Sequence, residues 1–88
     1  MEKKIYILIC QNEDQEIVSM EASHNINTLR AKMEEEWDAE VESFLAGGYE
    51  EADNEDVSWI KENFAIAGTS RDEDGLFYSW DIKAVDVI

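Results

Sequence analysis

Six successive apolar residues, Ile5 to Cys10, open the patterned part of the chain with no alternation between the two parities. A run of this kind, rich in β-branched side chains, predicts a strand inside a sheet with both faces at least partly covered. Gln11 to Gln15 reads as a polar turn. From Glu16 to Ala22 the pattern alternates, with Val18, Met20 and Ala22 at one parity and Ile17, Ser19 and Glu21 at the other. That predicts a half-exposed strand hairpinned to the first. The period then changes: Ile26, Leu29, Met33, Trp37, Val41 and Phe44 recur at intervals of three and four, the apolar stripe of a helix. Asn25 is the expected N-cap and Gly47-Gly48 the stop. A helix of about 20 residues runs ~30 Å, enough to cross a four-stranded sheet.

The second half is patterned less sharply. Behind Asp53-Asn54-Glu55-Asp56, the residues Val57, Ile60 and Phe64 keep helical spacing, and acids in the first turn with Lys61 in the last suit a short helix. Trp59 and Ile60 suit equally a strand beginning near Ser58. Phe64 to Thr69 predicts a strand, Arg71-Asp72-Glu73-Asp74-Gly75 a turn, and Leu76 to Val87 a long terminal strand. In that last segment Tyr78, Trp80, Ile82 and Ala84 alternate against Ser79, Asp81 and Lys83, and Val85 and Val87 then switch parity, which predicts a bulge near Ala84.

The resulting fold class is α+β: a mainly antiparallel four-stranded sheet in ββαββ order, with or without a short second helix, and the long helix packed on one face. Residues 1–88 are expected to form a single domain, since a chain of this length sustains one modest core. The apolar first strand is expected beside the equally apolar terminal strand. Tyr6, Leu8, Cys10, Phe77 and Val85 are expected on the outer sheet face, which would support a homodimer if no helix covers it.

Candidate chemistry is sparse. Cys10 is the one cysteine and His24 the one histidine, so no internal disulfide forms and a transition-metal site would have to be built from carboxylates. A free cysteine in an apolar run suits a reducing compartment, and the cytoplasm is the expected location. Lys3-Lys4 followed by six apolar residues is too short for a secretory signal core of about 7–15, and no run approaches the roughly 18 of a membrane span. Ser70, Asp72, Asp74, Gly75 and Asp81 fall on five positions of a calcium-loop template, but the flanks alternate as strands and the segment reads as a hairpin turn. A Cys10–His24 nucleophilic pair would need an exposed thiol beside the helix start. Glu40 projects close to the apolar stripe, where a carboxyl can acquire a raised pKa. No catalytic residue, metal ligand or cofactor site is assigned, and an enzyme is not expected.

Charge is the stronger signal. The chain carries a formal net charge of −15. Between Glu34 and Glu62 stand twelve acids and one base, Lys61, for a local charge of −11. At 100° per residue Glu34, Glu35, Asp38 and Glu42 share one helical arc opposite the stripe, with steps of about 6 Å between residues four apart. Glu50, Glu51, Asp53, Glu55 and Asp56 follow in the loop and are expected to extend the ridge. Such a field attracts basic protein surfaces and repels nucleic acid and anionic lipid, so neither direct nucleic-acid binding nor membrane binding is expected. Like-charged pairs Glu34/Asp38, Asp38/Glu42 and Glu36/Glu40 each cost the helix roughly 0.2–0.5 kcal/mol. In charge and size the chain resembles the small acidic nucleic-acid mimics of phages and mobile elements, such as anti-CRISPR and anti-restriction proteins. The resemblance implies an inhibitor or decoy that fills a Lys/Arg-lined groove of a nucleic-acid-binding protein. The alternative is a homodimeric interaction module whose acids only solubilise it.

Overall fold

A computed structural model describes residues 4–70 and 75–86. Strand β1 (Lys4–Asn12) turns into β2 (Ile17–Ser23), helix α1 (Ile26–Ala46) follows, and a 3₁₀ turn (Glu50–Asp53) leads to β3 (Trp59–Ile60), β4 (Phe64–Gly68) and β5 (Phe77–Asp86). The strands form one sheet in the order β2-β1-β5-β4-β3, antiparallel at every pairing. The α+β class with one long helix therefore holds, but the sheet has five strands where the pattern predicts four. The extra strand comes from the ambiguous segment. Trp59 pairs with Ile66 and Ile60 with Ala65, and the Ser58 hydroxyl accepts the Gly68 amide at 3.0 Å just ahead of the pair. A free sheet edge beside β4 offers backbone partners to residues that already favour strand, and this outweighs their helical spacing.

β1 and β5 lie side by side at the centre, paired without interruption from Lys4↔Asp86 to Asn12↔Tyr78. The bulge predicted near Ala84 is absent. Val85 instead lies opposite Ile5, and Ala84 opposite Tyr6, so both parities of this strand end meet apolar residues of β1. The register irregularity lies between Cys10 and Gln11 against β2. Residues 71–74, which carry most of the predicted turn and two of the five calcium-loop positions, Asp72 and Asp74, lie outside the described residues, as does Val87.

α1 begins and ends where the pattern predicts. The Asn25 side chain accepts the Asn27 amide at 2.9 Å, the N-cap bond. At the other end the Tyr49 amide bonds to Phe44 O at 3.0 Å and the Gly48 amide to Leu45 O at 3.1 Å. Gly48 holds φ at +96°. This is a Schellman closure, completed by the edge-on contact of the Phe44 and Tyr49 rings, 6.3 Å between centroids.

Leu29, Met33, Val41 and Phe44 press the helix onto Leu8 and Cys10 of β1, Trp80 and Ile82 of β5, and Ala65 and Ala67 of β4. The two alanines keep β4 low, and the Trp37 indole N–H donates to Ile66 O at 2.9 Å. The parity of β1 is thus the reverse of the one expected for the outer face. Tyr6, Leu8 and Cys10 belong to the helix-covered core, and Ile5, Ile7 and Ile9 face away, sharing their side of the sheet with Phe77 and Val85. Because β1 is apolar at both parities, its own pattern holds no preference; the helix position decides.

Candidate anionic interface

The stripe that anchors α1 turns its opposite side outward, leaving Glu34, Glu35, Asp38 and Glu42 exposed. Beyond the helix stop the chain folds back, because Ala52 of the 3₁₀ turn is fully buried in the core cluster. That anchor brings Asp53 up beside the helix. Glu35, Asp38, Glu42 and Asp53 consequently line one open cleft of 550 Å³, floored by Trp37, Val41, Ala52 and Ser58. A second cleft of 510 Å³ shares Trp37 and Ser58 with the first and adds Glu55, Trp59, Ile60 and Lys61.

Five of the nine acids assigned from sequence therefore gather around two adjoining clefts. Glu34, Glu50, Glu51 and Asp56 line neither of them; Glu34 stands one turn before Asp38, and Glu50 and Glu51 are exposed on the 3₁₀ turn. The sequence reading omits Trp37, Ser58 and Trp59 from the site. The signal for Trp37 is its place directly before Asp38 at the border of the stripe, where a large ring reaches past the core.

Of the basic residues near this surface, Arg30 is engaged away from the first cleft and Lys61 stays within the second. The Arg30 guanidinium pairs with Glu62 at 3.1 Å and donates to Asn63 Oδ1 at 3.0 Å. The Lys61 ammonium lies 5.1 Å from the centre of the Trp59 ring. Among the described residues, Glu35, Asp38, Glu42 and Asp53 form no ion pair. Their charges remain uncompensated side by side, in an aromatic-floored depression.

On the other flank of α1 a smaller cleft of 310 Å³ is lined by Cys10, Ser19, Glu36, Glu40, Tyr78 and Trp80, among others. Glu36, rather than Glu40, has a side-chain oxygen buried without a hydrogen-bond partner among the described residues, as does the Trp80 indole nitrogen. Burial raises the Glu36 carboxyl above its ordinary value; Lys32 opposes the rise, and Glu21, Glu35 and Glu40 reinforce it. Burial, and after it the charge of Glu36, pushes the Cys10 thiol up to about 11. Burial and Glu40 likewise raise the Tyr78 phenol. With its pKa near 11, the Cys10 thiol keeps its proton at neutral pH and is a weak nucleophile. His24 lies beside Lys4, its Nδ1 3.4 Å from that carbonyl, six residues along β1 from Cys10. The two do not form a pair.

Among the described residues no group of three or more His, Cys, Asp and Glu side chains is disposed to hold a metal ion. Among the described residues no helix is long and apolar enough to cross a membrane. Comparison with protein-family models, curated proteins and solved structures gives no match.

Proposed function

We propose that this protein is a non-enzymatic acidic binder that occupies a Lys/Arg-lined groove of a nucleic-acid-binding protein and so competes with the phosphate backbone. The observation that carries the reading is the convergence of Glu35, Asp38, Glu42 and Asp53 on one cleft, with Glu55 on the adjoining one and, among the described residues, no ion pair to the first four. Carboxylates on a rigid helix and an anchored turn are preorganised, so little side-chain ordering opposes the contact. Trp37 and Trp59 add flat surfaces against which guanidinium groups stack. A basic partner is drawn in by the long-range field and released as salt screens it, over a Debye length of about 8 Å at physiological ionic strength.

The test is affinity capture from a host lysate at low and high salt, with wild type beside Asp38→Lys/Glu42→Lys/Asp53→Lys. Wild type is expected to retain basic nucleic-acid-binding proteins at low salt, to lose them at high salt, and to lose them to added duplex DNA. The charge-reversed variant is expected to retain none of them. Recovery of the same proteins by both would end the proposal.

A further inference from the structure

The sheet has two faces and the helix covers one. With a least dimension of 18 Å the molecule has depth for one helical layer on one sheet, and neither α1 nor the 3₁₀ turn packs against the Ile5, Ile7, Ile9 side. What lies on that side is apolar. Ile7 is in register with Ala22 and Ile9 with Met20, so the edge strand β2 turns Met20 and Ala22 to the bare face and Ser19, Glu21 and Ser23 to the helix side. An amphipathic edge strand normally points its apolar parity at the core; here Met20 and Ala22 point to the side that neither α1 nor the 3₁₀ turn covers. Met20 is 58% exposed and Val85 44%.

Charge on this face differs from charge everywhere else. Among the described strand residues at its parity the charged ones are Asp81 and Lys83, neighbours on the central strand β5, opposite Ile9 and Ile7 respectively. These two cancel, and Lys61 stands at the margin over the Trp59 ring, so the described part of this face carries no negative excess on a molecule of formal charge −15. Two such molecules repel one another at every other surface. An isologous contact requires a patch complementary to itself, and one acid beside one base on a central strand meets that condition, Asp81 of each copy facing Lys83 of the other. The extent is adequate too. Strands of 9, 7, 2, 5 and 10 residues, at ~3.4 Å per residue and ~4.8 Å per strand, give a face of roughly 540 Å², or about 1,100 Å² over two copies, which clears the ~1,000 Å² a specific interface needs.

We infer that the occupant of this face is a second copy of the chain, and that two copies pack sheet against sheet about a two-fold axis with crossed Asp81–Lys83 pairs. The inference is independent of the first acidic cleft, which lies on the helix side, and its salt dependence has the opposite sign. Screening weakens repulsion between two anionic copies, so self-association strengthens with salt while capture of a basic partner weakens.

Sedimentation equilibrium tests it. Wild type at about 100 μM, a concentration at which even weak homodimers are populated, is expected at twice its 10.1 kDa mass, more completely so at higher salt. Met20→Glu, at a position exposed in the single copy, is expected at the monomer mass with an unchanged circular-dichroism spectrum. Asp81→Lys and Lys83→Asp are each expected to be monomeric alone and to form a heterodimer when mixed. A monomeric wild type under all these conditions would overturn the inference, as would a dimer insensitive to Met20→Glu and to both charge changes. In either case the acidic-cleft reading would stand or fall by its own test.

Discussion

At the scale of single residues, Glu36 is the most constrained group. Its Oε2 is buried without a partner, and burial holds its carboxyl above the ordinary 4.5. A raised folded-state pKa means that the native protein binds this proton more tightly than the unfolded chain does. Below 4.5 both states are protonated and no penalty exists. As pH rises from there through the folded value, native Glu36 must ionise in its desolvated position, and stability is lost. Glu36→Gln keeps the shape without the titration. Its advantage over wild type in urea denaturation is expected to be small in acid and to grow as pH rises toward neutrality. A difference that is constant across that range would show that Glu36 is not the titrating group. The sequence pattern points to Glu40 at this border of the stripe, because helical projection cannot resolve which of two neighbouring turns lies deeper over β2 and β5.

At the scale of elements, α1 is the part most fully legible in the sequence. Its stripe, its N-cap Asn25 and its glycine stop are local features set by contacts a few residues apart. The two glycines of the stop nevertheless play different roles. Gly47 has φ −81°, and a Cβ there would approach nothing closer than 3.5 Å. Gly48 sits at φ +96°, in open space. Gly48→Ala is therefore expected to cost about 1 kcal/mol through backbone strain, and Gly47→Ala close to nothing, by urea denaturation. Equal effects would mean that the closure does not depend on the left-handed residue. The strands were legible in a different way. β1, β4 and β5 appear within a residue or two of their predicted limits, but the two-residue β3 exists only because β4 offers it an edge. Spacing from Val57 to Phe64 could not show this, since the stabilising partners are residues of another strand.

At the scale of the whole molecule, charge partition is the organising feature. Acids gather on the outward side of α1 and on the following turn, and the described strand residues of the bare sheet face carry no net charge. Crowding of this kind costs stability through self-repulsion, of order 1 kcal/mol from the like-charged helix pairs. Sodium chloride is accordingly expected to raise the melting temperature by several degrees between very low and moderate ionic strength. The Met20→Glu variant is the form to measure, so that association does not contribute. A flat or falling melting temperature would mean that the carboxylates are compensated within the fold.

The sequence by itself determined the α+β class, the long helix with its caps, the pairing of two apolar strands at the centre and the size of the acidic excess. All of these follow from local periodicity, capping chemistry and composition. Only the tertiary structure decided which parity of β1 lies under the helix, that Ala52 anchors Asp53 beside Asp38 and Glu42, and that one sheet face is left uncovered by the helix. Each of these depends on contacts between segments far apart in the chain, and a strand apolar on both sides, or an acid in a loop, carries no local mark of what will lie against it.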